Sequence, residues 1–288
     1  MRQVKQILVA IDRSAMADEA LKRAISVAKK KEAQLIVLHV IEPPFIKSLF
    51  YSVDENEIRE KVTNQINRLN LEAKIHYVLF IEFGSAAKVI TLKAQKVQAD
   101  LLVVGSHGKE DIDNKYFGST ALKLIQRTHI PVLIVKNKVK TIYQKMIAPT
   151  DMTAYSKKSI VFAKALFTKP SRKYLYAAET ISELQAMTYN ISEEERQHLR
   201  EEMKTDANKA LDAFVIEVGG GETALINFTA SINEDLLAYI VKDNADLLVL
   251  GSRGVDNLNS FVFGSTASYL MQRSPADVLV YVPLSASL

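Results

Sequence analysis

Two short glycine-rich blocks in this 288-residue chain have residue types suited to binding an anion. The first reads Gly105-Ser106-His107-Gly108, then nine residues, then Gly118-Ser119-Thr120. The second reads Gly251-Ser252-Arg253-Gly254, then nine residues, then Gly264-Ser265-Thr266. Glycine straight after a buried strand lets the backbone turn sharply and approach a ligand closely. A Gly-Ser-Thr cluster opening a helix leaves backbone N–H groups unpaired at an end that carries about half a positive charge. That combination is a phosphate cradle, to which the Ser and Thr hydroxyls add donors. One such block alone reads equally as a turn followed by a capped helix, because Ser and Thr cap well. Two copies with identical spacing favour the anion site. His107 and Arg253 are matched, and each either reaches a phosphate or lies in solvent. Near pH 7 the arginine is the charged one of the pair, so the second block offers the stronger clamp.

Other chemistries find less support. The chain has no GxxxxGK[ST] loop and no GxGxxG after its first strand, so neither common nucleotide motif is present. His39, His76, His107, His129 and His198 show no metal-ligand spacing, and no GxSxG nucleophile elbow occurs. The absence of cysteine excludes disulfides, thiolate metal sites and cysteine catalysis. No catalytic residue and no protein metal site are assigned.

The two blocks belong to a larger repeat. Ala99–Arg127 and Ala245–Arg273 agree without a gap at 16 of 29 positions, at a constant offset of 146. The start of each half agrees more loosely, Gln6–Arg13 against Lys145–Met152, at an offset of 139. Roughly seven extra residues therefore lie inside the second half, in Ile181–Val218 and the Gly219-Gly220-Gly221 turn. The chain reads as a tandem duplication, domain one over 1–140 and domain two over 141–288, joined by the polar stretch Lys136–Gln144.

Apolar runs alternate with amphipathic stretches in both halves. Gln6–Ile11, Leu35–Ile41, Lys74–Ile81, Leu101–Gly105 and Val132–Val135 read as buried strands. Ser14–Lys31, Asp54–Leu71, Ser85–Gln98 and Ser119–Arg127 read as helices between them. The second half repeats this order: strands over Met146–Ala148, Tyr174–Ala178, Thr223–Phe228, Leu247–Gly251 and Val278–Val282, and intervening segments over Ala154–Phe167, Ile181–Phe214, Ile232–Lys242 and Ser265–Arg273. Such alternation predicts an α/β fold of two tandem five-stranded parallel sheets with helices on both faces. In these sheets ligands bind at the carboxyl ends of strands, where strand order reverses.

Strand one ending in Asp, with Gly-2x-Gly-9x-Gly-Ser/Thr after strand four, resembles the universal stress protein family, nearest to its nucleotide-binding branch. The resemblance spans both halves. It implies a Rossmann-like, adenine nucleotide alpha hydrolase-like domain with ATP, accompanied by Mg2+, in the cleft at the strand ends. In half one it places Asp12 near adenine or ribose, Val40 at the adenine edge, and Gly105, Gly108, Gly118, Ser119 and Thr120 around ribose and phosphates. The matching positions of half two are Asp151, Ala178, Gly251, Gly254, Gly264, Ser265 and Thr266. Asp12 reads alternatively as an N-cap for the helix that follows. The family implies a regulatory or protective protein; the alternatives are a slow ATPase and a nucleotide-independent interaction module.

Composition bounds the partners. Net charge is +4, from 37 basic and 33 acidic side chains, without the basic stripe of a nucleic-acid binder. No apolar run is long enough to insert in a membrane, and the polar N-terminus lacks a signal segment; a cytoplasmic location is expected. The apolar strands Val132–Val135 and Val278–Tyr281 are natural pairing edges. If the halves pair with each other, a monomer results; otherwise a homodimer follows. The apolar segment Glu42–Val53 reads as a lid on its own domain or as a partner or lipid contact.

Overall fold

A computed structural model describes residues 3–42, 54–107, 118–139, 142–178, 191–227, 231–251 and 263–282. The segment read as a lid, 43–53, lies outside them. In half one the strands are β1 (Gln6–Ile11), β2 (Gln34–Ile41), β3 (Tyr77–Phe83), β4 (Leu101–Gly105) and β5 (Val132–Val135). The helices are α1 (Ala15–Lys31), α2 (Glu55–Asn70), α3 (Ala86–Lys96) and α4 (Ser119–Arg127). Half two has β6 (Lys145–Pro149), β7 (Ser171–Ala178), β8 (Glu222–Asn227), β9 (Leu247–Gly251) and β10 (Asp277–Tyr281). Its helices are α5 (Ala154–Leu166), α6 (Glu193–Glu217), α7 (Ile232–Lys242) and α8 (Ser265–Arg273).

The ten described strands form one sheet in the order β3-β2-β1-β4-β5-β10-β9-β6-β7-β8. Pairing is parallel inside each half. At the centre β5 and β10 pair antiparallel, with Leu133 opposite Leu279. The central strands β4, β5 and β9 are buried on both faces, which explains their continuous apolar sequence. One face packs Leu21, Ala24, Val62, Ile66, Ile160 and Phe214 from α1, α2, α5 and α6. The other packs Ile90, Leu124, Ile125, Leu236, Ile240 and Leu270 from α3, α4, α7 and α8. The α/β reading with helices on both faces holds.

Several boundaries differ from the sequence reading; β7, for one, begins at Ser171 rather than Tyr174. The third strand begins at Tyr77 rather than Lys74. Lys74 takes a left-handed conformation (φ 51°), and the Asn70 side chain clamps Ile75 through both its N–H and its C=O. Helix α6 is opened by a capping box: Ser192 Oγ accepts from the Glu195 amide, and Glu195 accepts from Ser192. It runs to Glu217, three residues beyond the expected end. The turn that follows needs glycine at Gly221, which has φ 154° and would place a Cβ against the Tyr174 ring.

Acidic anchors hold the strand ends. Asp100 accepts the amides of Lys5 and Gln6 (2.8 and 2.9 Å), and its repeat mate Asp246 accepts those of Gln144 and Lys145 (2.8 and 3.0 Å). Asp277, 1% exposed, ties the connecting segment to β10. It accepts from the Lys136 and Asn137 amides (2.9 and 3.1 Å) and from the Tyr143 hydroxyl (2.6 Å). The Arg23 guanidinium lies 3.9 Å from it and stacks over Tyr143.

This cluster makes stability depend on pH. Burial pushes the Lys136 ammonium down to about 8, against the attraction of Asp277. Between pH 8 and the ordinary lysine value of 10.5, the folded chain has released a proton that the unfolded chain keeps. Stability therefore rises with pH in that window. Tyr143 acts in the opposite sense above its ordinary value of 10.0, because burial first and Asp277 next hold its hydroxyl well above that value, with Arg23 opposing. There the unfolded chain ionises first and stability falls. We expect the melting temperature to climb from pH 8 towards 10, then drop. In Lys136→Met the climb shrinks while the drop remains, because Lys31 and Lys164, also held down by burial, still contribute; an identical climb in the variant refutes this assignment.

Candidate functional site

Each half leads the chain outward from its first strand to the third, then returns it to the opposite side for the fourth. Strand order therefore reverses between β1 and β4, and between β6 and β9. Ligand crevices of parallel sheets open at such points, beyond the strand carboxyl ends. In half two a cavity of about 320 Å³ lies there. That volume falls at the lower end of the roughly 300–1,000 Å³ usual for small-molecule sites. Its walls include Asp151, Tyr155, Tyr176, Ala177, Gly251 and the Gly264-Ser265-Thr266 run.

The helix that closes this cavity, α8, begins without a side-chain cap because its N-cap is Gly264; α4 begins likewise at Gly118. Ser119 and Ser265 are exposed first-turn residues, Thr120 is exposed and Thr266 half-buried. The hydroxyls therefore stand beside uncapped N–H groups rather than capping them. Gly264 has ordinary angles (φ −58°, ψ 151°), and a Cβ there would meet nothing within 4 Å. Neither backbone strain nor crowding by described protein atoms explains a glycine at this position. Gly118 is buried, and its N–H donates to the Ser106 carbonyl (2.9 Å), fastening the two ends of the intervening loop together. Gly108, Arg253 and Gly254 lie outside the described residues.

The glycines ending β4 and β9 have a packing role as well. A Cβ on Gly105 would sit 3.1 Å from the Met16 carbonyl carbon, oxygen and Cβ, whereas one on Gly251 would approach nothing closer than 3.5 Å. Gly105 thus lets α1 settle against the strand end, and Gly251 leaves room.

Asp12 and Asp151 are not N-caps. The caps are Ser14 and Thr153, two residues further on, whose oxygens accept from Ala17 and Ser156. The carboxylates hold the caps in place: Asp12 accepts from the Ser14 amide (3.0 Å), and Asp151 from the Thr153 amide and hydroxyl (3.1 and 2.7 Å). Burial raises the Asp151 carboxyl, but hydrogen bonds from Thr153 and Ser156 outweigh it and set the group below its ordinary value. Between each Asp and its cap, Arg13 and Met152 are left-handed (φ 64° and 59°). Such residues cost about 1–2 kcal/mol each, and strain of this kind concentrates at functional turns.

Sheet register corrects one equivalence. Ile11 lies opposite His39, which sets Asp12 level with Val40; Pro149 lies opposite Leu175, which sets Asp151 level with Ala177. Ala177 is thus the mate of Val40 and lines the cavity, while Ala178 is buried and is not among its walls. A shift of one residue along a strand reverses the face. His39 is a buried core histidine with Nδ1 2.9 Å from the Ile11 carbonyl. His107 pairs through Nδ1 with Ser106 Oγ (2.8 Å), and its Nε2 is buried without a hydrogen-bond partner among the described residues.

The repeated architecture has relatives. Residues 3–136 and 142–282 each match the model of the Universal stress protein family. The chain belongs to the universal stress protein family. It is a tandem member, two family domains in one chain. A universal stress protein of Methanocaldococcus jannaschii is 30% identical over 145 residues, 47% of this chain and 84% of that protein. A solved universal stress protein of Archaeoglobus fulgidus covers 99% of this chain and 98% of its own length at TM-score 0.69 and 19% identity. A functionally unknown Pseudomonas aeruginosa protein covers 97% of this chain and 93% of its own at TM-score 0.71 and 17% identity. At those identities the two structural likenesses concern the fold alone.

The packing contrast is testable in this tandem universal stress protein. Gly105→Ala should lower stability by about 1–3 kcal/mol through crowding of the α1 backbone. Gly251→Ala should stay within about 0.5 kcal/mol of the parent. Urea midpoints measure both, and equal losses refute the difference.

Proposed function

We propose that this tandem universal stress protein binds ATP in both halves, with the triphosphate at the N-termini of α4 and α8. The observation that carries the reading is the glycine N-cap of α8, on a wall of the cavity, where conformation and packing leave room for a side chain. Asp or Ser there would cap the helix a few tenths of a kcal/mol better than Gly. A bound phosphate explains the glycine, since it needs both the space and the N–H groups. In this reading Ser119, Thr120, Ser265 and Thr266 supply hydroxyls, and the orphaned His107 Nε2 meets a phosphate oxygen. Asp12 and Asp151 lie towards ribose and base, beside Val40 and Ala177. Gly108, Arg253 and Gly254 complete the loops.

Magnesium would arrive on the triphosphate, held by phosphate oxygens and water. Among the described residues no group of three metal-binding side chains lies together. The role that follows is regulatory or protective rather than metabolic. A slow ATPase is the weaker reading, because a carboxyl held below its ordinary value, as Asp151 is, makes a feeble general base. A cytoplasmic location accords with a cysteine-free chain and with the lack of a membrane-crossing helix among the described residues. The β5–β10 contact takes the place a second subunit would occupy, with the domain boundary near residue 140.

Calorimetric titration with ATP and magnesium tests this on the parent, Gly118→Asp and Gly264→Asp. The parent should take two equivalents and each variant one. Gly264→Asp should melt no lower than the parent, since aspartate is a good N-cap. Absence of ATP binding to the parent refutes the proposal.

A further inference from the structure

A small cleft lies away from both crevices, where the two halves meet. About 30 Å³ in volume, it is lined by Arg23, Ser26 and Lys30 of α1, Tyr143 of the connecting segment, and Lys169 and Pro170 beyond α5. Its volume is about the liquid share of one water molecule, enough for one oxygen-sized atom beyond the mouth. Lys30 and Lys169 stand equally far from their helix caps, Ser14 and Thr153, so they are repeat mates meeting across the junction.

The cations in this cleft are poorly neutralised. Lys30 Nζ donates to Thr168 Oγ1 at 3.1 Å, and among the described residues neither Lys30 nor Lys169 has an ion pair. Arg23 is only 4% exposed, and its Nε is buried with no hydrogen-bond partner. Its nearest carboxylate, Asp277 at 3.9 Å, already serves the Lys136 and Asn137 amides and the Tyr143 hydroxyl. A buried N–H without an acceptor destabilises the fold until one arrives. Next to the lining residues in sequence, Lys31 donates to the Ala165 carbonyl, and Arg172 donates to that of Thr168. These cations offset the negative helix ends that would otherwise repel an anion.

We propose that this cleft binds the oxyanion of a phosphate group. One oxygen enters to accept from Arg23 Nε, and the others accept from Lys30, Lys169 and the Ser26 hydroxyl. Helices from both halves then share one ligand, and the junction tightens. The site is independent of the nucleotide crevices and needs no nucleotide.

Calorimetric titration of the full chain at fixed ionic strength tests it, with inorganic phosphate as one probe and ethyl phosphate as the other. The proteins are the parent, Lys30→Met/Lys169→Met, and Gly118→Asp/Gly264→Asp. Both lysines are exposed, so their removal leaves the core intact. Losing the lysine contacts should weaken phosphate binding by about tenfold or more. The Gly118→Asp/Gly264→Asp protein should bind as the parent does. Preference for inorganic phosphate identifies a free ion, and preference for ethyl phosphate a group borne on a larger molecule; either supports the site. Absence of phosphate binding in the parent, or binding unchanged in Lys30→Met/Lys169→Met, overturns it.

Discussion

Hydrogen bonds between β5 and β10 run past Leu133 and Leu279, both fully buried, and this contact is the one antiparallel pairing among the described strands. Its direction fixes the rest of the molecule. Strands are parallel within a half, so one antiparallel seam turns the halves to face opposite ways. The strand carboxyl ends, and with them the two switch points, fall on opposite sides of the sheet. The seam also lets each face of the sheet carry one apolar layer through both halves. Asp277 reinforces it from β10 by binding the segment that connects the halves. A buried carboxylate is costly unless fully hydrogen-bonded, and here the hydrogen-bond donors come from the connecting segment, with Arg23 of α1 an ion-pair distance away. The junction is thereby specified as well as stabilised.

At the crevices the fold gives up local stability twice in each half. Arg13 and Met152 take left-handed conformations, and α4 and α8 begin at residues that cannot cap them. A domain selected for stability alone would place Asp or Ser at Gly264. The same two features recur in both halves, at corresponding places around the switch points. The halves are nevertheless unequal. Met16 crowds Gly105, while Tyr155 and its neighbours leave space at Gly251, and His39 of β2 is level with Tyr176 of β7.

Much of this was legible in the residues. The repeat, the alternation of strands and helices, and the Gly-Ser-Thr helix starts depend on local pattern, and they lie where the pattern put them. What was missed depends on tertiary registration. Ala178 was matched to Val40, but the pairing of β7 with β6 sets Ala177 there, and strand alternation makes one residue decisive. Asp12 looked like a cap because Asp caps well, yet an intervening left-handed residue moves the cap to Ser14. The role of Asp277 needs Tyr143 and Arg23 brought from distant sequence. The capping box from Ser192 to Glu195 was readable and would have placed the start of α6.

The central claim is that an uncapped helix N-terminus at each switch point is kept open for the phosphates of a nucleotide. A crystal structure of the full chain with a non-hydrolysable ATP analogue and magnesium tests it most directly. The account predicts phosphate density at the amides of Gly264, Ser265 and Thr266, and at those of Ser119 and Thr120, with the base towards Ala177 and Val40. Well-ordered crevices that stay empty at saturating analogue, or phosphates bound elsewhere, would contradict it.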